Sequence, residues 1–254
     1  MASGNPLILG IVLLAGGLFL FFMGFRWLSQ KRLIENLPTS KIRSIAMGLV
    51  EVYGEAVPLK EKTIKSPFSN RECVYYKYTI EEYRSSGKHS RWVTVKLGIS
   101  SQHFYLKDDT GVVLVDPEGA NVDIPVDFEF KSGFGKDPDR RIQQFLKSNS
   151  LGFEGIFGMN KTMRYREYLI VPKDKLYIIG TADDNPIVEE ATAKKGVEDV
   201  IIKRGAHNKF YYISDKPEKD VLKGFRWKVI LGLFGGGASA VAGSAIIAWI
   251  FGAL

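Results

Sequence analysis

The chain is short of the residues that carry redox, metal and nucleophilic chemistry. Its 254 residues include one cysteine, Cys73, and three histidines, His89, His103 and His207. One thiol excludes a disulfide framework within the chain. Structural zinc takes four Cys or His ligands at short spacings, and catalytic zinc usually takes three with a water. These four residues are scattered and share no such spacing, so no metal or cofactor site is expected. Cys73 lies in the apolar, aromatic run Cys73-Val-Tyr-Tyr-Lys-Tyr-Thr-Ile80. A thiol nucleophile needs a base beside it, so burial is the expected role. No catalytic residue stands out. Asp108 and Asp109 could pair for acid–base work, but the Thr110-Gly111 that follows makes a turn the simpler reading. Gly155 to Thr162 approaches a phosphate-cradling loop, with Asn160 where the second glycine is required.

Charge is missing from both ends. No Asp, Glu, Lys or Arg occurs from Met1 to Phe25 or from Val229 to Leu254. This distribution excludes a purely water-exposed chain. The first apolar run, Leu7 to Phe25, has 25 − 7 + 1 = 19 residues. As a helix it would reach ~28 Å, against the ~30 Å of a hydrocarbon core. Met1 to Pro6 has no basic residue and no small-residue cleavage motif precedes Arg26, so an anchor is expected rather than a signal peptide. The second run, Val229 to Leu254, has 254 − 229 + 1 = 26 residues, enough to span with tilt.

Small residues mark the second run. Gly235, Ser239 and Gly243 recur every four residues, as do Gly236, Ala240 and Ser244. This spacing lets a second helix approach closely. The partner would be the first run, through Gly10, Ala15, Gly16 and Gly17, or the same helix of another copy in a homo-oligomer. Basic residues mark the inner ends of the runs: Arg26, Lys31 and Arg32 after the first, Lys219, Lys223, Arg226 and Lys228 before the second. The opposite flanks have none. The positive-inside rule therefore puts the central region in the cytoplasm and both termini on the other side.

The net charge is +7, from 35 basic against 28 acidic residues. The basic residues are dispersed, and those near the runs suit anionic lipid headgroups. Tyr75, Tyr76, Tyr78 and Tyr83 could stack on bases, but their spacing suits sheet packing equally well. Nucleic acid is not an expected partner; the bilayer and a protein partner of unknown identity are.

Between the runs the pattern is β-rich. Val50 and Val52 alternate around Glu51 between Gly48 and Gly54, as on a half-buried strand. Ser66-Pro-Phe-Ser-Asn70 is a turn. Cys73 to Tyr83 and Trp92 to Leu97 are expected to form a hairpin around the loop Arg84 to Lys88. Phe104 to Gly111 and Val112 to Pro117 read as two short strands about an Asp-Asp-Thr-Gly turn. Asp137 is expected to cap a helix with Pro138 in its first turn and Ile142, Phe145 and Leu146 on its apolar face. Leu151 to Asn160 reads as a loop. Arg164 to Val171, Leu176 to Thr181, Val200 to Lys203 and Lys209 to Ile213 are further strands. Asp215 and Glu218 suggest the start of a helix leading into the second run. The expected fold is a two-span membrane protein with a central α+β domain of mostly antiparallel strands and one or two helices. Its expected divisions are 1–28, a transmembrane helix; 29–213, the β-rich domain; and 214–254, a helix entering the second span.

Several of these strings resemble one family. The stretch Leu33 to Ala56, the Ser66-Pro-Phe-Ser69 turn and the strand Cys73 to Tyr83 are similar to the GIDE, or "beside-a-membrane", domain. Asp109-Thr-Gly111, Val115-Asp-Pro117 and Glu167 to Gly180 share its texture. The family includes mitochondrial membrane-anchored ubiquitin ligases and shorter prokaryotic relatives. The resemblance implies a β-rich domain held between two membrane helices, facing the intermembrane space in the mitochondrial proteins. In the ligases a zinc-binding RING domain follows the second helix. A RING holds two zinc ions at four ligands each, and a single cysteine cannot supply them. The expectation is a short form lacking the RING, acting as a non-catalytic scaffold at the bilayer surface. The alternative is a ubiquitin-ligase-like membrane protein.

Overall fold

The computed structural model describes residues 5–87, 89–152, 160–185, 199–206 and 208–252. The chain forms two units, residues 1–38 with 216–254, and residues 39–215. The described helices are α1 (Pro6–Glu35), α2 (Arg140–Ser148), α3 (Glu218–Ile230) and α4 (Gly236–Ile250). The strands are β1 (Gly48–Pro58), β2 (Ile64–Lys65), β3 (Glu72–Cys73), β4 (Tyr75–Ser86), β5 (His89–Ser101), β6 (Phe104–Lys107) and β7 (Val112–Val115). Then come β8 (Asn121–Asp123), β9 (Phe128–Ser132), β10 (Met163–Ile170), β11 (Lys175–Asp184), β12 (Val200–Lys203) and β13 (Tyr212–Ser214).

The first unit is helical. The Asn5 side chain accepts from the Leu7 amide at 3.0 Å and Pro6 fills the first turn, so α1 starts on a capped end. It runs 30 residues and stops at Asn36, just before Pro38. α3 and α4 form one continuous helix from Glu218 to Ile250, joined by a π-helical turn at Leu231–Gly235. The helix begins at Glu218, with Pro217 at the N-cap position rather than inside the first turn. Both long helices are long and apolar enough to cross a membrane.

The second unit is the β-rich domain. β1 pairs with β6 and β11, β11 with β12, β12 with β7, and β7 with β6. These five strands close into a ring, and β13 and β8 extend it from β11. Closure leaves no free strand edge on the ring itself. Pairing is antiparallel except for β7 with β12 and β8 with β13. Val52, Leu106, Val113, Ile178 and Ile202 fill the interior and are fully buried. A second, antiparallel sheet has the order β5-β4-β10-β9. The apolar stripe of α2 shares a core with one face of it, Ile142 and Leu146 lying among Phe68, Tyr78, Ile80 and Tyr165. At Gly98 a Cβ would stand 2.4 Å from the Tyr78 ring, so only glycine fits under that tyrosine.

Four local expectations change. The cap of α2 is Asp139, which accepts from the Ile142 amide at 2.8 Å; Asp137 lies outside the helix and receives the Asn160 amide. The loop expected over Arg84 to Lys88 shrinks, because β4 runs to Ser86 and β5 restarts at His89, with Gly87 at φ +58°. The last strand covers Tyr212–Ser214 rather than Lys209 to Ile213. Glu51 is fully buried, so β1 is not half-exposed at that position. Most of the glycine- and phenylalanine-rich stretch, including Gly155, lies outside the described residues, as does His207.

Candidate functional site

The helical unit is held by a seam of glycines. Gly10, Gly17 and Gly24 of α1 are buried and stand seven residues apart. Seven-residue spacing keeps them on one face of a slightly supercoiled helix. Opposite them lie Gly243, Gly236 and Gly232. A Cβ on Gly17 would sit 2.4 Å from the Ala240 amide nitrogen and 2.7 Å from the Gly236 carbonyl. On Gly243 it would sit 2.4 Å from the Leu14 nitrogen and 2.7 Å from the Gly10 carbonyl. On Gly232 it would meet the Gly24 Cα at 2.6 Å. Partner numbers fall as α1 numbers rise, so the helices are antiparallel. The Ser239 hydroxyl donates to the Leu13 carbonyl at 3.1 Å, which closes the middle of the seam.

Of the small residues singled out from sequence, Gly236, Ser239, Ala240 and Gly243 lie in this seam, while Ser244 is exposed. Gly235 does not lie in it: it is exposed, and a Cβ there would meet only Leu231 of its own helix at 3.4 Å. A four-residue spacing drifts by about 40° per step on a helix of 3.6 residues per turn, which carries Gly235 off the face of Gly243. The positions facing α1 are Gly232 and Gly236. Among the α1 candidates Gly10 and Gly17 face the seam, while Gly16 has nothing within 4 Å and Ala15 is exposed. Gly24 and Gly232 were missed; the seven-residue glycine repeat was their available signal.

The basic residues gather at one end of the hairpin. Arg26, Lys31 and Arg32 close α1, where Lys31 pairs with Glu35 at 2.5 Å. Lys223, Arg226 and Lys228 are exposed on α3, and the Lys228 ammonium lies 5.2 Å from the Phe225 ring. Trp227 is 65% exposed at this end, and Trp249 is 69% exposed at the other. They are 249 − 227 = 22 residues apart, which is ~33 Å of helix, close to the thickness of a hydrocarbon core. Tryptophan favours both boundaries of that layer.

In the β-rich unit the ionisable groups brace the chain. Glu167 on β10 is fully buried. Its carboxylate takes the Phe68 amide at 2.5 Å, the Ser69 amide at 3.1 Å and the Ser69 hydroxyl at 2.6 Å. It thereby pins the Ser66-Pro-Phe-Ser69 turn, and Phe68 of that turn packs edge-on against Tyr78, Phe145 and Tyr165. Glu51 on β1 is likewise buried. It accepts from Thr39 at 2.5 Å and from the Tyr177 hydroxyl, while its carbonyl takes the Ser40 amide at 2.8 Å. Sequence reading missed both roles. Two separated strings that carry the resemblance, the turn and Glu167-Tyr-Leu-Ile170, thus meet at one carboxylate.

Cys73 is fully buried on β3, its Sγ 3.5 Å from the Ile64 carbonyl. Burial, reinforced by the nearby Glu167 charge, pushes its thiol up to about 12. Asp108 forms the expected turn, accepting from Thr110 twice at 2.7 Å, from Gly111 at 2.9 Å and from the Ile42 amide at 3.0 Å. Burial opposes its charge, but these donors prevail and hold its carboxyl below the usual range. Asp109 pairs with Lys41 at 2.6 Å. A shallow cavity of about 390 Å³ opens here, lined by Lys41, Tyr53, Glu55, Lys107 and Lys175 with the Asp108–Asp109 turn. Its charges are of both signs: Glu55 stands across the ladder from both Lys107 and Lys175.

His103 approaches Asp116 at 3.5 Å, and His89 opens β5. Among the described residues no three His, Cys, Asp or Glu side chains form a cluster able to hold a metal ion. With Cys73 buried and the described histidines apart, the residues present do not fit a RING zinc.

Residues 75–248 match the family model GIDE, described as E3 Ubiquitin ligase. No curated protein and no solved structure matches the chain. The matched segment is 248 − 75 + 1 = 174 of 254 residues and takes in most of the β-rich unit and most of the second long helix. The chain belongs to the GIDE family.

Proposed function

We propose that this chain is a membrane-anchored interaction module rather than a catalyst. Two antiparallel spans hold the β-rich unit at a bilayer surface, where it binds a protein partner as a scaffold. The observation that carries this reading is what the buried ionisable groups do. The Glu51 carboxylate accepts from the Thr39 and Tyr177 hydroxyls, and that of Glu167 fixes the backbone of the Phe68–Ser69 turn. Cys73 is buried and holds its proton well past neutrality. A thioester nucleophile needs the opposite, an exposed thiol of lowered pKa. The basic ends of the hairpin favour a cytoplasmic β-rich unit with both termini across the membrane.

The second reading is a ligase-like role, and the family description supports it. One experiment separates the two. Ubiquitin transfer is assayed on the purified full chain and its Cys73→Ala variant, with metal content measured in parallel. Cross-linking and affinity capture from native membranes is run beside it. A captured partner without transfer supports the scaffold. Transfer lost in Cys73→Ala, or a bound zinc in each chain, would establish the enzyme. Orientation is tested with a membrane-impermeant thiol probe on intact cells: a cysteine at Ala2 should label and one at Ser86 should not. The reverse pattern would invert the topology.

A further inference from the structure

We propose that the tip of the β4–β5 hairpin is a docking finger for an anionic bilayer surface. β10 ends its pairing with β4 at Met163 opposite Glu82. The Tyr83 amide, across from Trp92, still donates to the Thr162 carbonyl at 2.8 Å, and beyond it Arg84, Ser85 and Ser86 of β4 pair along the ladder with Arg91, Ser90 and His89 of β5. The two strands therefore continue past their sheet as a free ribbon. From Tyr83 to Trp92 the sequence is YRSSGKHSRW, with three basic residues, one histidine and no acidic residue.

The two faces of the ribbon differ. One carries Tyr83 and Trp92, whose rings lie 5.1 Å apart, and the Arg164 guanidinium sits 4.4 Å above the Trp92 ring. The other face sets Arg84 directly across from Arg91. Like charges directly opposite each other destabilise a ladder. Glu82 offsets part of this through two bonds to Arg84, at 2.8 and 3.0 Å. Arg91 is exposed and has no ion-pair partner among the described residues. An anion between the two arginines would relieve their repulsion.

The whole signature matches a headgroup layer. Tyrosine and tryptophan settle at the headgroup level, and Arg and Lys reach phosphates from there. The inference rests on the two-span reading above. The ends of α1 and α3 that lead in sequence to this unit carry Arg26, Lys31, Arg32, Lys223, Arg226 and Lys228, which favour an anionic leaflet on that same side. Tethering at both ends keeps the finger at high effective concentration near that leaflet. An acidic protein segment is the competing occupant. A flexible peptide would gain less from a rigid aromatic pair at the base of the finger, so the lipid is the better fit.

The test uses the full chain in nanodiscs of phosphatidylcholine alone or mixed with phosphatidylglycerol. An environment-sensitive dye is placed on Ser90→Cys; native Cys73 is buried and does not compete for label. In anionic discs the emission should shift to the blue and be quenched by lipid-borne quenchers. Arg84→Gln with Arg91→Gln should weaken docking roughly thirtyfold, taking the contribution of a basic residue near an anionic surface. Unchanged thermal unfolding of that variant would show that the fold persists. Equal emission in neutral and anionic discs, or a response indifferent to the double substitution, overturns the proposal. So does a signal that appears only with an added acidic peptide. A chain that fails to co-purify with discs overturns the membrane reading and this one together; a chain that co-purifies with an unmoved dye overturns this one alone.

Discussion

The two units of this chain are packed by opposite means. The helical unit is joined through missing side chains: Gly10, Gly17 and Gly24 against Gly243, Gly236 and Gly232, with backbone nearly touching backbone. The β-rich unit is joined through large ones, Phe68, Tyr165, Tyr177 and Phe104 being among its fully buried residues. The difference follows from the solvent each meets. Lipid tails are as apolar as leucine, so helices in a bilayer gain little from burying leucine against leucine and gain from close van der Waals approach. A unit facing water gains about 25 cal/mol for each Å² of apolar surface removed. The same element, a side chain added or deleted, should therefore have opposite consequences in the two units.

The largest effect is expected on the side of large residues. Phe68 is 1% exposed and touches three other aromatic rings. Phe68→Ala should cost about 3–5 kcal/mol of stability of the β-rich unit, from lost burial and an unfilled cavity. Chemical unfolding followed by near-ultraviolet circular dichroism would show it. A cost under about 1 kcal/mol would mean that the site collapses and that packing here is looser than the rings suggest.

Next comes the carboxylate under that phenylalanine. Glu167→Ala strips the Phe68 and Ser69 amides of their acceptor. Unsatisfied buried amides and lost bonds to a charge should cost about 2–3 kcal/mol. Glu167→Gln keeps the shape and one acceptor and should cost less. Hydrogen exchange at the Phe68 and Ser69 amides would rise in both variants, and more in the alanine. Equal exchange in all three proteins would remove Glu167 from its bracing role.

The glycine seam tests the other half of the comparison with paired substitutions. Gly17→Leu and Gly243→Leu place a side chain where backbone already stands, whereas Gly16→Leu and Gly235→Leu point away from the seam. The first pair, and Ser239→Leu with them, should weaken the hairpin by about 1–2 kcal/mol. The second pair should be neutral. Graded unfolding of the full chain from mild detergent into dodecyl sulfate resolves the two classes. If Gly235→Leu destabilised as much as Gly243→Leu, Gly235 would not face away from the seam as described.

How much of this was legible in the sequence depends on range. The two spans were, because absence of charge is a local property. So were β1, β4, β5, β10 and β11, whose alternation or β-branched and aromatic content is visible in a short window. β2 and β8 have two and three residues and exist because partners pair with them. β9 was missed although Phe128-Glu-Phe-Lys131 alternates. Ring closure left no local trace: β7 meets β12 in parallel across more than eighty residues of sequence. The burial of Glu51 and Glu167 was also hidden, since glutamate is a surface residue by type. Only Tyr177 and the Phe68 turn, distant in sequence, make those positions interior. In the seam, the two four-residue rows included Gly236, Ser239, Ala240 and Gly243, but a spacing of four drifts off a helical face and also took in Gly235 and Ser244.

The smallest expected effect probes how dry the β-rich interior is at Cys73. Its thiol is pushed up to about 12 from 9.0, chiefly by burial. Below about pH 9 the thiol is protonated in both the folded and unfolded chain and contributes no pH dependence. Above it the unfolded chain releases the proton while the folded chain keeps it, so rising pH favours unfolding. Between neutral pH and about pH 10 this group should remove about 1 kcal/mol of stability, since each unit of separation is worth about 1.4 kcal/mol. Tyr75 is also pushed up to about 12, from an ordinary value of 10.0. Tyr78, Tyr165, Tyr211 and Tyr212 are raised as well, so the share of Cys73 is read as the difference between the native chain and Cys73→Ala. Cys73→Ala should shift stability by a constant and flatten the slope in that window. Denaturant unfolding of both proteins at several pH values measures it. Parallel curves would show that water reaches the thiol.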